Sequence, residues 1–132
     1  MAPGGFSRCS YKKKVMTLVR RKFVRHCGVD GLAGDPMEAF NLTPVALGNC
    51  IRYLLNWKLP ILFLGGGGYN VPNAARCWTY LTSLIVGKNI SNDIPDNHYF
   101  TQFGPDFTIQ VSPGNRPNKN TNEDIESLLH TS

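Results

Sequence analysis

Short apolar runs, separated by polar breaks that carry glycine or proline, dominate the chain from Phe23 onward. Phe23-Val24-Arg25-His26-Cys27 is strand-like and stops at Gly28 and Asp30. Leu47, Ile51, Leu54 and Leu55 then recur at helical spacing, with Asn49, Arg52 and Asn56 between them. Thr43 supplies an N-cap, and Pro44 sits at the first helical position, where its missing N–H costs nothing. The spacing predicts a helix from Pro44 to near Lys58-Leu59-Pro60, with one buried face. Ile61-Leu62-Phe63-Leu64 is too short for a helix and, between Pro60 and four glycines, reads as a strand covered on both faces. Beyond the glycines, Pro72 opens a second helix whose stripe is Ala74, Trp78, Leu81 and Ile85, with Gly87 placed to close it.

Strand, loop, helix, strand, glycine-rich loop, helix is the order of an α/β fold with crossover helices. About one and a half such units are present, and two strong strands do not complete a parallel sheet. The body therefore reads as an excerpt from a larger α/β domain. Further on, Phe107 to Val111 alternates like a short strand, Asn115 to Asn122 is a polar loop, and Asn122 to His130 fits a terminal helix.

Composition changes this picture chiefly through charge. With 132 residues and 42% hydrophobic positions the chain has the size of one small domain. The net charge of +5 is unevenly placed. Residues 1–26 hold eight bases (Arg8, Lys12, Lys13, Lys14, Arg20, Arg21, Lys22, Arg25) and no acid, whereas the remainder carries six bases against nine acids. The head reads as the product of a different exon, a truncated transcript or an imperfect gene model. A nucleic-acid arm ranks below that, because only Phe6 and Tyr11 are available for stacking. A mitochondrial presequence and a nuclear address both stay open for it. No apolar run reaches the ~18 to 20 residues of a membrane span, and no secretory signal is expected. Cys9, Cys27, Cys50 and Cys77 show no C-x-x-C pairing, which argues against a zinc ribbon or a disulfide framework and leaves Cys50 and Cys77 as small buried apolar residues.

Gly65-Gly66-Gly67-Gly68-Tyr69 lies where α/β folds place their sites, after a strand and before a helix. A P-loop would end in Gly-Lys-Ser/Thr, but here Tyr69-Asn70 follows; a dinucleotide fingerprint would want an acid near position 89, but Asn89-Ile90 stands there. Two readings remain: a tight turn, or a close-approaching mount that carries the Tyr69 hydroxyl to a reacting carbonyl. Asp30 by itself reads as a turn former or a metal ligand. Adjacent parallel strands would bring Asp30 and Tyr69 to one sheet edge, an arrangement suited to carbonyl hydrolysis by metal-bound water.

The run GGGGYNVPNAARCWTYLT, preceded by GVDGLAGDPM and followed by DIPD and FGPDF, resembles the class I zinc-dependent histone deacetylases. The resemblance covers residues 23–132, the C-terminal part of the catalytic domain, and leaves 1–22 as a basic non-matching segment. It implies an arginase/deacetylase-type parallel sheet flanked by helices, and zinc-dependent hydrolysis of N-acetyl-lysine on histones and other proteins. On it, Asp30 matches one ligand of the Zn2+ triad and Tyr69 the catalytic tyrosine that binds the acetyl carbonyl. Gly66 and Gly67 match the loop beside the acyl-lysine channel, and Met37 an apolar residue of that pocket. The tandem histidines and the Asp-x-His pair carrying the other two ligands have no counterpart: His26, His98 and His130 are isolated, and Asp96-Asn97-His98 reads as a surface turn. The expectation is a truncated chain that neither holds zinc tightly nor turns over substrate alone. The alternative is a non-catalytic fragment acting through its basic arm or by docking to deacetylase chains. The resemblance also implies acetylated histone lysines and deacetylase-complex subunits as partners and a role in chromatin regulation. It places the protein in the nucleus, with the cytoplasm also open.

Overall fold

The computed structural model describes residues 23–37, 40–117 and 119–130; the basic segment 1–22 lies outside the described residues. Strand β1 (Phe23–His26) is followed by helix α1 (Pro44–Leu55), strand β2 (Ile61–Leu64) and helix α2 (Val71–Ile85). A 3-10 turn (Phe100–Phe103) and helix α3 (Asn122–His130) complete the order. The two strands pair in parallel, Phe23 opposite Ile61 and His26 opposite Leu64, as the strand-helix-strand reading requires. Backbone bonds extend the pairing beyond the strands: Cys27 N–H donates to Leu64 O (2.9 Å) and Val29 N–H to Gly67 O (2.6 Å).

Both helices start where the side chains dictate. Thr43 Oγ1 accepts from Ala46 N–H and Asn70 Oδ1 from Asn73 N–H, and each helix has proline in its first turn. They pack against each other, with Val29, Leu32, Ile51, Cys77 and Leu81 buried between helices and sheet. Each fully buried leucine contributes about 1.5–3 kcal/mol. At the crossing, a Cβ on Gly48 would stand 2.8 Å from both Leu84 Cδ1 and Tyr80 Cε1. Gly48→Val is therefore expected to part the helices and cost about 1–3 kcal/mol, read as a lower urea midpoint.

Four expectations change. Helix α1 stops at Leu55 with Asn56 as its cap, because Trp57 and Lys58 turn back onto Leu54 O and Leu55 O and Lys58 takes a left-handed φ of 52°. Among the described residues strand β2 is covered on one face: Ile61 and Phe63 turn toward the helices, while Leu62 and Leu64 are 54% and 42% exposed. Phe107 to Val111 forms no strand but a single antiparallel bridge, Thr108 to Asp93, since Phe107 adopts a φ of 52° and its ring stacks on Phe100 at 4.5 Å. Cys77 is fully buried as expected, whereas Cys50 is exposed because its place on α1 falls outside the buried stripe that Pro44, Gly48 and Ile51 define. Arg25, a costly residue in a strand covered on both faces, is exposed here.

Candidate functional site

The carboxyl ends of β1 and β2 run into two loops that touch. Glycine makes the touch possible: a Cβ on Gly67 would lie 2.5 Å from Asp30 Oδ2, and one on Gly66 would lie 2.3 Å from His26 Cε1 and 3.0 Å from Gly28 Cα. The Asp30 carboxylate thus rests against the bare backbone of Gly67, on the rim where the sequence placed it. Tyr69 stands two residues further along the same loop, its side chain 59% exposed.

Asp35, in the loop after β1, fixes the loop that carries Tyr69. Its carboxylate is buried and accepts three backbone N–H groups. Met37 N–H donates to Oδ1 (2.9 Å), while Tyr69 N–H (2.8 Å) and Asn70 N–H (3.4 Å) donate to Oδ2. Met37 and Tyr69, separate in sequence, hang on one carboxylate. Two amides add to the tie, Asn70 Nδ2 donating to Gly34 O and Asn73 Nδ2 to Ala33 O. The available signal was the pairing of an Asp before proline in one loop with a glycine run in the other, where unpaired N–H groups need an acceptor.

Burial pushes the Asp35 carboxyl up, but the hydrogen bonds from Tyr69, Met37 and Asn70 outweigh it and hold the group below the usual carboxylate range. A depressed folded-state pKa means that the clamp contributes fully above the unfolded aspartate value of about 3.9 and is lost as pH falls through the lower folded value. The amide protection factors of Met37, Tyr69 and Asn70 are expected to fall together in that acid window, and hydrogen exchange measured across it checks this. Protection unchanged through the window would show that Asp35 does not hold the loop.

The remaining candidates sort clearly. Met37 is 60% exposed at the loop surface. Asp96-Asn97-His98 is an exposed turn, with Asn97 Nδ2 donating to Pro95 O and Tyr99 N–H to Asn97 Oδ1. Burial pushes the Cys77 thiol up to about 12; it also raises Cys27, against a lowering by Arg25 and with a further push from Cys50, so neither is a ready thiolate nucleophile. Among the described residues no three His, Cys, Asp or Glu side chains stand together in a way that could hold a metal ion, and Asp30 offers one carboxylate only. No helix among them is long and apolar enough to cross a membrane.

Comparison with known proteins identifies the family. The family description "Histone deacetylase domain" matches residues 16–85, a span that holds Asp30, Asp35, the four glycines and Tyr69 and begins within the basic head. The chain is 51% identical over 108 residues to histone deacetylase 8 of Xenopus tropicalis, covering 82% of this chain and 29% of that protein. It is 45% identical over 128 residues to histone deacetylase 8 of Danio rerio (93% and 34%) and 45% identical over 121 residues to histone deacetylase 1 of Homo sapiens (88% and 25%). The chain thus spans between about a quarter and a third of the length of these relatives.

Proposed function

The chain belongs to the histone deacetylase family, and from that premise we propose that it carries the tyrosine, one metal ligand and part of the acyl-lysine channel of an enzyme that hydrolyses N-acetyl-lysine on histones and other proteins. The observation that carries the reading is the contact of the Asp30 carboxylate with Gly67 at the end of β2, two residues before Tyr69. In this reading the exposed Tyr69 hydroxyl donates to the acetyl carbonyl oxygen as negative charge grows on it. Gly66 and Gly67 let the acyl-lysine stem approach bare backbone, and Met37 offers an apolar contact beside it. Asp35 positions Tyr69 through its backbone N–H.

The family's zinc supplies Lewis acidity, but Asp30 alone does not make its site. A catalytic zinc takes three protein ligands, and two of them must come from outside the described residues. With that function we propose the nucleus as its location, the cytoplasm also staying open, and acetylated histones and deacetylase-complex subunits as its partners.

The test joins residues 23–132 to the preceding part of the Xenopus tropicalis histone deacetylase 8 domain and measures hydrolysis of an acetyl-lysine peptide with zinc. A folded chimera that hydrolyses the peptide supports the reading; one that folds and binds zinc but shows no turnover sinks it. The chain alone, given zinc, is expected to be inactive. Turnover by it that Tyr69→Phe abolishes would overturn that expectation while strengthening the role of Tyr69.

A further inference from the structure

Arg76, in the second turn of α2, is only 5% exposed. Its Nη2 donates to Phe103 O, its guanidinium carbon lies 5.6 Å from the centre of the Phe103 ring, and its Nε has no hydrogen-bond partner among the described residues. These partners are neutral. A guanidinium taken out of water with one carbonyl and one ring face for company is under-compensated, and a buried cation in that position calls for an anion.

Space for one adjoins it. A cavity of about 490 Å3 is lined by Arg76, by Asn70 and Asn73 at the start of α2, and by Gln102, Ser112 and Asp106. The start of α2 adds no net positive charge, because the buried Asp35 carboxylate already accepts from Asn70 N–H there, so the attraction rests on the guanidinium. Asp106 is the one carboxylate on the wall among the described residues, and it is exposed. Water screens its repulsion, whereas the attraction of the desolvated guanidinium is not screened in the same way.

We propose that this cavity binds a small oxyanion, a phosphate or a carboxylate group, as the counter-ion of Arg76. Both groups present two oxygens at the spacing of adjacent guanidinium N–H donors, which is the chemistry that an arginine recognises and a lysine does not reproduce. The amides and hydroxyl of Asn73, Gln102 and Ser112 offer further donors to the same ligand. The inference stands apart from the deacetylase reading, because neither Asp30 nor Tyr69 lines the cavity.

The test follows the side-chain Nε–H resonance of Arg76 in the full chain, identified by its loss in Arg76→Lys, while sodium phosphate or sodium acetate replaces chloride at constant ionic strength. The expected result is a saturable shift with at least one of the two anions. Gln102→Glu, at an exposed position, puts a second acid on the wall and should weaken that binding about tenfold. Saturation by phosphate alone assigns a phosphate-bearing ligand; saturation by acetate, alone or beside phosphate, assigns a carboxylate. Shifts that stay linear with both anions, or a saturable shift that Gln102→Glu leaves unchanged, overturn the proposal.

Discussion

Tyr69→Phe in the chimera that completes the deacetylase domain is expected to lower kcat by about 10²–10³-fold, the range found when one donor to a developing oxyanion is removed. The substitution deletes one hydroxyl and keeps the ring. With the side chain 59% exposed and the loop held through the Tyr69 backbone N–H by Asp35, no buried bond of the fold depends on that hydroxyl. The thermal midpoint should therefore stay put while turnover collapses. KM should change little, since a donor used mainly in the transition state adds little to ground-state binding. A loss of kcat under about threefold would remove Tyr69 from the chemistry. A fallen midpoint would instead show that the hydroxyl supports the loop.

Asp35→Ala separates positioning from chemistry. It leaves the Tyr69 hydroxyl in place but deprives three backbone N–H groups of their acceptor, so the loop that carries Tyr69 should loosen. Turnover and the amide protection of Tyr69 should fall together, whereas Tyr69→Phe should lower turnover alone.

Much of this arrangement was legible because local rules and tertiary packing agree among the described residues from Phe23 to Ile85. Thr43-Pro44 and Pro72 mark helix starts that the structure reproduces, and the run Ile61–Leu64 paired in parallel with Phe23–His26 as its flanking punctuation required. The rim was legible for the same reason: parallel strands place their carboxyl ends side by side, so Asp30 and the glycine loop had to be neighbours. What escaped was set by contacts distant in sequence. Asp35 looks like a turn residue until the Tyr69 loop, 34 positions away, brings its N–H groups to it. Phe107 to Val111 alternates like a strand, but the stacking of Phe107 on Phe100 and the bridge to Asp93 decide its path. Coverage on both faces of β2 was inferred from Ile61–Leu64 alone, and composition cannot say how many elements stand ready to cover a face.

Gly67→Ala should displace the Asp30 carboxylate, the metal ligand of the proposed function. The backbone of Gly67 does not need glycine for its dihedral angles, since the positive-φ glycines of the described residues are Gly34, Gly68 and Gly87. Only space is at stake. The added methyl would lie 2.5 Å from Asp30 Oδ2, 2.7 Å from Cγ and 3.2 Å from Cβ. Gly67 cannot retreat freely, because its carbonyl accepts from Val29 N–H at 2.6 Å and ties the two strand ends together. The carboxylate must therefore swing away, and a shift of about 1 Å at a reacting centre costs about 10²-fold in rate. In the chimera, Gly67→Ala is expected to weaken zinc binding, followed by competition with a chelator, and to lower kcat by about that factor. Gly87→Ala serves as the control: a Cβ there meets nothing within 4 Å, so its positive φ of 66° brings a stability cost of about 1 kcal/mol and leaves zinc affinity alone. Full zinc affinity in Gly67→Ala would show that Asp30 can ligate from another position, and the close approach of the two loops would then have to serve the acyl-lysine channel rather than the metal.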